Sequence, residues 1–292
     1  MLKMQRILCP VDFSEFSDRA YEYALSFARH FRAKLFVQHV TEPVVVLPRM
    51  YVSRQLIDQV YAEQDAGAEE KIHELTATRS LNDVEYEVVL DRGPVADSIL
   101  QFAEDKDIDL IAIGTHGRRG LDRIVLGSVT ERVLRTARCP VLGVHNPAQV
   151  TPETQEEPIQ IRKILFCTDF SDNSPRALEY AFFLACQYKA EISLLHVLER
   201  SGGSKSLEAE KQDTLERLHS LTPDDVQRCV TVAPAVRAGQ PYQEILEHAT
   251  ENQTDLIVLG VRGRNAINLA LFGSTTYRVT QLGSCPVLVV RT

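Results

Sequence analysis

The stretches RILCPVDFS (residues 6–14) and KILFCTDFS (163–171) are two versions of one segment, in which a short apolar run ends at an aspartate. Asp12 and Asp169 are therefore equivalent positions, 157 residues apart. In both copies apolar residues at helical spacing follow, so each segment predicts a buried strand that leads into a helix. The chain is therefore expected to contain the same structural unit twice.

The repeat continues to the end of each copy. IAIGTHGRRG (111–120) resembles IVLGVRGRNA (257–266), and RCPVLGVH (138–145) resembles SCPVLVVR (284–291), now with an offset of 146 residues. The second copy is thus 11 residues shorter in its middle. The extra residues of the first copy are assigned to Thr41–Tyr61, which we interpret as a long surface loop, with a lid or a contact surface as the alternative.

Strand-like runs alternate with helical patterns in each copy, which predicts a parallel sheet covered by helices on both faces. Asp109–Ile113 and Asp255–Leu259 are nearly continuous apolar runs, as in strands buried on both sides. We predict an α/β fold of two tandem, doubly wound, five-stranded parallel-sheet domains of Rossmann-like type. The predicted domains are residues 1–146 and 161–292, joined by a proline- and glutamate-containing linker at 147–160.

Composition limits the function. A net charge of −8 disfavours nucleic acid as a partner, because phosphate backbones are bound by basic surfaces. No apolar run is long enough for a membrane span or a signal peptide, so a cytoplasmic location is expected. The six cysteines form no CxxC pair and the eight histidines form no HExxH motif, so neither a protein-bound metal site nor a redox motif is predicted.

One glycine motif occurs in both copies, as GTHGRRGLDRIVLGS (114–128) and GVRGRNAINLALFGS (260–274). Both stretches follow a predicted strand and lead into a predicted helix. Glycines let the backbone approach a ligand closely, and successive N–H groups and a helix N-terminus attract phosphate. Tight turns and simple helix caps are the alternative. The predicted phosphate-binding residues are Gly114, Gly117, Arg118, Gly127 and Ser128 in the first copy, and Gly260, Gly263, Gly273 and Ser274 in the second.

Two further positions complete each predicted site. Asp12 and Asp169 end the first strand, where a carboxylate can accept hydrogen bonds from ribose hydroxyls; an Asx cap on the next helix is the alternative. Val40 and Val197 end the second strand, where backbone groups can hydrogen-bond an adenine edge. The histidines that precede these valines are expected to serve packing or local hydrogen bonding.

With its two copies and its repeated G-x2-G-x9-G-S motif, the chain resembles the tandem form of the universal stress protein family, apart from the linker and Thr41–Tyr61. The resemblance implies an adenine nucleotide alpha hydrolase-like fold that binds ATP, with Mg²⁺, through the residues just named. It also implies dimer contacts through the last strand of each copy. Here the strands at 140–144 and 286–290 are expected to pair within one chain, and a homodimer of chains is a further expectation.

Three classes of function stay open at this point. The favoured one is an ATP-binding regulatory protein of the stress response. The second is an enzyme, namely a slow ATPase, a nucleotidyl transferase, or a kinase that phosphorylates its own Ser128 or Ser274. The third is a scaffold that binds no nucleotide. The chain has no Walker GxxxxGK[ST] motif and no HxGH signature, so no catalytic residue is assigned.

Overall fold

A computed structural model describes residues 2–43, 53–77, 83–117, 125–145, 159–172, 174–199, 206–261 and 273–291. The chain divides into two compact units. The N-terminal unit contains the described residues from Lys3 to Cys139, except Val125 and Leu126. Those two and Leu2 belong to the C-terminal unit, together with the described residues from Pro140 onward. The predicted linker lies almost wholly outside the described residues, and the domain limits 1–146 and 161–292 stay a prediction.

The N-terminal unit is a parallel α/β layer structure. Its strands lie in the order β3-β2-β1-β4, and all three pairings are parallel. Right-handed crossovers place α1 and α2 on one face of the sheet and α3 and α4 on the other. Its elements are β1 (Arg6–Pro10), α1 (Glu15–Phe31), β2 (Lys34–Thr41), α2 (Arg54–Ala77), β3 (Tyr86–Arg92), α3 (Val95–Asp105), β4 (Leu110–Gly114) and α4 (Ser128–Thr136).

The C-terminal unit repeats this arrangement and adds two strands, β10 and β5. Its order is β5-β10-β9-β6-β7-β8, with parallel pairing everywhere except between β5 and β10. Its elements are β5 (Val141–Val144), β6 (Lys163–Cys167), α5 (Ser174–Tyr188), β7 (Glu191–Leu198), α6 (Leu207–Ser220), α7 (Asp224–Cys229), β8 (Val232–Ala238), α8 (Pro241–Glu251), β9 (Leu256–Val261), α9 (Ser274–Leu282) and β10 (Val287–Arg291). The predicted α/β class is confirmed.

The last strands of the two copies pair with each other, as expected from the sequence. β5 runs antiparallel to β10, with Leu142 opposite Leu288. Directly after β5, the buried His145 donates from Nε2 to the carbonyl of Thr280 in α9. The fifth strand of the first copy therefore belongs to the compact unit formed by the second, where it pairs with β10.

The segment Thr41–Tyr61 differs from the prediction. Residues 44–52 lie outside the described residues, but Arg54–Tyr61 forms the first two turns of α2, so the prediction of a loop is wrong for that part. The proline-rich start of the segment hid the helical pattern that follows it. At 24 residues, α2 is ten longer than its counterpart α6, so most of the length difference between the copies lies in this helix.

The core of each unit lies between its sheet and its helices. The strands contribute nearly continuous apolar side chains, and α1 buries one face against β1 and β4. Among the largest fully buried side chains are Tyr21, Phe27, Leu35, Leu110 and Phe166. In the part of the chain that the structure describes, no helix has the length and apolar character needed to cross a bilayer.

Gly114 lies where the first helix packs closely against the sheet. A Cβ at this position would lie 2.8 Å from the carbonyl carbon of Phe16 and 2.9 Å from its oxygen. Because both atoms are backbone, the helix or the strand must shift, and we expect Gly114→Ala to lower the free energy of unfolding by about 1–3 kcal/mol. Urea unfolding followed by circular dichroism measures this.

Gly67 is the matched control. It lies within α2, and a Cβ added there meets no atom within 4 Å. Gly67→Ala is therefore expected to stabilise the fold by about 0.5–1 kcal/mol, since glycine is a poor helix former. If Gly114→Ala unfolds at the same urea concentration as the wild type, the tight helix–sheet contact is not real.

Candidate functional site

The predicted site residues meet at the point where the strand order reverses. In the N-terminal unit this point lies at β1, which is flanked by β2 and β4, and in the C-terminal unit at β6, flanked by β7 and β9. In open parallel sheets, ligands bind in the crevice at the carboxyl ends of the strands at such a point. Asp12 follows β1 and Gly114 ends β4, so the two lie on opposite sides of this crevice. Asp169 and Gly260 are their equivalents.

Asp12 is held by the start of α1. Its Oδ1 accepts hydrogen bonds from the Ser14 backbone N–H at 3.1 Å and from the Ser14 hydroxyl at 2.6 Å. This is an Asx turn, but the N-cap of α1 is Ser14, so Asp12 is not itself the helix cap that the sequence left open as an alternative. Oδ2 points the other way, because a Cβ added to Gly117 would lie only 2.8 Å from it. Gly117 therefore lies directly against the carboxylate and brings the loops after β1 and β4 together.

Asp169 has the same place in the C-terminal unit. Its Oδ1 accepts the Ser171 backbone N–H at 2.9 Å and the Ser174 hydroxyl at 3.3 Å. Partial burial by itself would raise the pKa of Asp169, but the hydrogen bonds from Ser171 and Ser174 outweigh it and hold the pKa below its ordinary value. The carboxylate is therefore kept charged at the mouth of the crevice.

Val40 presents backbone groups to the crevice. The Val11 N–H donates to the Gln38 carbonyl at 2.8 Å, and β1 ends at Pro10 while β2 continues to Thr41. Backbone groups of a parallel strand alternate between its two neighbours, so Val40, two residues after Gln38, faces the side on which β1 has ended.

Val197 lies in the same way in the C-terminal unit. There the Thr168 N–H donates to Leu195 at 3.0 Å, two residues before Val197. β7 runs on to Leu198, whereas β6 ends at Cys167. Each unit therefore has one strand whose backbone edge continues past the end of its central neighbour.

The two histidines support the loops after β1 and β6. His39 donates from Nδ1 to the Val11 carbonyl at 2.8 Å, and His196 donates to the Thr168 carbonyl at 2.7 Å. Each imidazole lies 4.7 Å from the ring of the phenylalanine that follows the aspartate, Phe13 or Phe170. These contacts give the histidines the structural role expected from the sequence.

A cation covers each of these phenylalanines. Lys71 Nζ lies 5.5 Å from the Phe13 ring centre, and Arg217 Cζ lies 3.8 Å from that of Phe170. Sequence reasoning missed these contacts. The sequence does contain an indication of them. A phenylalanine follows the aspartate in both copies, and Lys71 and Arg217 are equivalent positions, 146 residues apart. The insertion in the first copy therefore ends before Lys71.

The helix that follows the motif starts without a side-chain cap in either unit. Gly127 and Gly273 are the N-cap residues, and neither α4 nor α9 has a side-chain hydrogen bond at its cap. Ser128 and Ser274 are the first helical residues, and both are exposed. A glycine N-cap has no side chain that could accept the first-turn N–H groups, and the positive end of the helix dipole favours an anion.

The first turn of α4 is tied to the end of β4. The Gly127 N–H donates to the Thr115 carbonyl at 2.9 Å, and the Thr130 hydroxyl donates to the Gly114 carbonyl at 2.7 Å. Thr130 is buried, so this link is shielded from water. The start of α4 is thus fixed against the strand end that forms one side of the crevice.

Most predicted site residues lie at these two strand-end edges. Among the residues that the structure describes, no group of three or more histidine, cysteine or acidic side chains could hold a metal ion. Arg118 and Gly263 lie outside the described residues. The residues brought to the edges are Asp12, Val40, Gly114, Gly117, Gly127 and Ser128 in one unit, and Asp169, Val197, Gly260, Gly273 and Ser274 in the other.

The two edges differ in charge beside the valine. In the N-terminal unit, Val40 is in register with Asp91, whose Oδ2 accepts a hydrogen bond from the buried Gln38 Nε2 at 2.7 Å. In the C-terminal unit, Val197 is in register with Arg237. That guanidinium forms ion pairs with Glu244, Glu247 and Glu251. A carboxylate therefore stands beside one edge, and an arginine paired with three glutamates beside the other.

The hydrogen bonds to Asp169 predict a dependence of stability on pH. Because its folded-state pKa lies below the ordinary 3.8, the carboxylate stabilises the native state above about pH 4, and this contribution is lost as the pH falls through the lowered pKa. We expect the advantage of the wild type over Asp169→Asn in urea unfolding to shrink over that range. Ser174→Ala should raise the pKa of Asp169, measured by NMR titration. A native pKa at or above 3.8 in the wild type would contradict this account.

Comparison with known proteins finds relatives of both copies of the chain. The sequence model of the Universal stress protein family matches the chain twice, over residues 3–145 and 160–291. A universal stress protein of Methanocaldococcus jannaschii is 37% identical over 145 residues, which cover 49% of this chain and 83% of that protein. One of Mycolicibacterium smegmatis is 28% identical over 298 residues, covering 98% of this chain and 96% of that protein.

A solved structure shares the full two-copy fold. The crystal structure of a universal stress protein from Archaeoglobus fulgidus superposes with a TM-score of 0.74 at 25% identity. The superposition covers 99% of each chain. The tandem arrangement therefore has a counterpart along its whole length.

Proposed function

This chain belongs to the universal stress protein family, and we propose that each of its two units binds an adenine nucleotide, ATP together with Mg²⁺, as a regulatory protein of the stress response. The observation that carries the proposal is the duplicated crevice. In both units a carboxylate, a free backbone edge and an uncapped helix N-terminus meet where the strand order reverses. These three groups match the ribose, the base and the phosphates of one nucleotide.

The glycine motif fits the phosphates. The helix N-termini at Gly127 and Gly273 lack a side-chain cap, so their N–H groups are available to phosphate oxygens. The hydroxyls of Ser128 and Ser274 are exposed at the same helix ends and add one donor each. At Gly117 a side chain would push against Asp12, so glycine keeps the space between the two loops open.

The other end of the crevice fits the nucleoside. Asp12 and Asp169 are anchored through one carboxylate oxygen and can accept ribose hydroxyls with the other. The backbone edges of Val40 and Val197 offer a donor and an acceptor, which the edge of adenine can match. The anchoring positions each carboxylate before the ligand arrives, which lowers the entropy cost of binding.

Mg²⁺ would be held mainly by the nucleotide. This ion prefers six oxygen ligands and commonly keeps several waters while bound to substrate phosphates. In the described part of the chain no acidic cluster forms a cage for it. The residues therefore fit an ion that arrives with the phosphates, where it would neutralise part of their charge.

A thermal-shift titration with ATP·Mg²⁺ tests the proposal. A ligand that binds only the folded state stabilises it by about 2.7 kcal/mol per site at a hundred times its dissociation constant, so the melting temperature should rise. Gly127→Val and Gly273→Val should each remove part of the shift. A Cβ makes only ordinary contacts at both positions, since it would lie 3.4 Å from Thr115 O at Gly127 and 4.0 Å from Thr276 Oγ1 at Gly273.

Gly67→Ala is the control, since its added Cβ meets no atom within 4 Å, and it must leave the ATP-dependent shift intact. A wild type that does not respond to saturating ATP·Mg²⁺ would contradict nucleotide binding. Phosphate release measured on the same samples separates the two nucleotide-dependent functions. Turnover well above the background rate would show an enzyme and not a regulatory protein.

A further inference from the structure

Two cysteines of the C-terminal unit face each other outside the proposed nucleotide site. Cys186 lies in the last turn of α5, and Cys229 ends the short helix α7. α5 and α7 pack against each other, and the Cys229 thiol lies near enough to raise the pKa of Cys186. Cys229 is exposed and Cys186 is partly buried, so the pair is open to solvent from one side.

The N-terminal unit shows that these two positions are partners in the fold. Cys186 corresponds to Arg29 at the offset of 157 residues, and Cys229 corresponds to Asp83 at the offset of 146. Arg29 Nε and Asp83 Oδ1 form an ion pair at 3.2 Å. The same two positions thus carry a polar link in one unit and two thiols in the other.

We propose that Cys186 and Cys229 form a reversible intramolecular disulfide when the protein meets a low-molecular-weight disulfide. In a reducing environment both cysteines stay thiols and no bond joins them. Oxidation by the low-molecular-weight disulfide forms the Cys186–Cys229 bond, which links α7 covalently to α5. The C-terminal unit would then have a covalent link where the N-terminal unit has an ion pair.

The reaction proceeds by two thiol–disulfide exchanges. Cys229 loses its proton and attacks one sulfur of the reagent, RSSR, which gives a mixed disulfide and releases RS⁻. Cys186 then loses its proton and attacks the Cys229 sulfur, which forms the protein disulfide and releases a second RS⁻. The two released thiolates take up two protons, so the protein loses two electrons and two protons and the reagent gains them as two RSH.

Exposure decides the order of these steps. Cys229 is the exposed thiol and meets the reagent first. Burial, the contact with Cys229 and the charge of Asp225 raise the pKa of Cys186 to about 11, so Cys186 is a weak nucleophile toward reagents in solution. It reacts efficiently only with the sulfur held next to it. Cys9, Cys167 and Cys285 are buried and do not compete.

The disulfide would also fix one wall of a cavity. A cavity of about 350 Å³ lies beside α6 and α7, and its lining includes Leu218, Gln227 and Val230. Val230 directly follows Cys229, and Gln227 belongs to α7. Because α7 has only six residues and one buried side chain, its position depends on few contacts. Closing the link would therefore hold this wall in place.

Peptide mapping of the folded, full-length protein tests the proposal. The protein is incubated with an excess of oxidised glutathione, its remaining thiols are alkylated, and the digest is analysed by mass spectrometry. We expect a Cys186–Cys229 linked peptide from a monomeric chain, a loss of two titratable thiols, and full reversal by dithiothreitol. The melting temperature should rise by roughly 5 °C on oxidation.

Matched variants separate the two thiols. In Cys186→Ser, Cys229 should keep its glutathione adduct, whereas in Cys229→Ser, Cys186 should stay a free thiol. Cys139→Ser should form the linked peptide as the wild type does. The double variant Cys186→Arg with Cys229→Asp carries the ion pair of the N-terminal unit and should fold without losing thiols. A wild type that shows only a Cys229 glutathione adduct, or a link between two chains, overturns the proposal.

Discussion

The close approach of β4 to the first turn of α1 is the constraint on which the N-terminal site depends. Gly114 lies so near the backbone of Phe16 that no side chain fits between them. This contact sets the distance between the loop that carries Asp12 and the loop that starts the glycine motif. Thr130 then ties α4 to the same strand end through the Gly114 carbonyl. One glycine thus positions both sides of the crevice, so its role in packing cannot be separated from its role in the site.

Much of the fold and of the two crevices could be predicted from the sequence, because the repeat shows each strand, helix and site residue in two copies. The aspartates, the valines and the motif glycines recur at constant offsets, and strand ends in parallel sheets bring such residues together. What failed depended on contacts between distant segments. The start of α2 resembles a loop in the sequence because prolines precede it, whereas the ion pair of Arg92 with Asp65, which joins the helix to β3, leaves no local pattern. The cations over Phe13 and Phe170 also come from helices remote in sequence.

The two copies keep some residues in common and differ at others. The residues that shape the crevice are the same, whereas the residues that link secondary-structure elements around it have changed. A buried Gln38 and Asp91 stand where the second copy has Leu195 and Arg237, and an ion pair stands where it has two thiols. At one pair of positions an ion pair is replaced by two thiols, whereas at the other Leu195 is apolar and Arg237 pairs with Glu244 instead. The backbone is therefore preserved, while the side chains beside the Val40 and Val197 edges differ.

The antiparallel contact between β5 and β10 has a consequence for how such proteins arise. Separated copies would each carry an edge strand with unsatisfied N–H and C=O groups, which attract another chain and make assembly depend on protein concentration. Joined in one chain, the two strands meet at an effective concentration that the connecting segment sets, in the millimolar range for a short flexible one. Fusion therefore replaces an association that dilution weakens by an intramolecular one, and the two crevices no longer need to be identical.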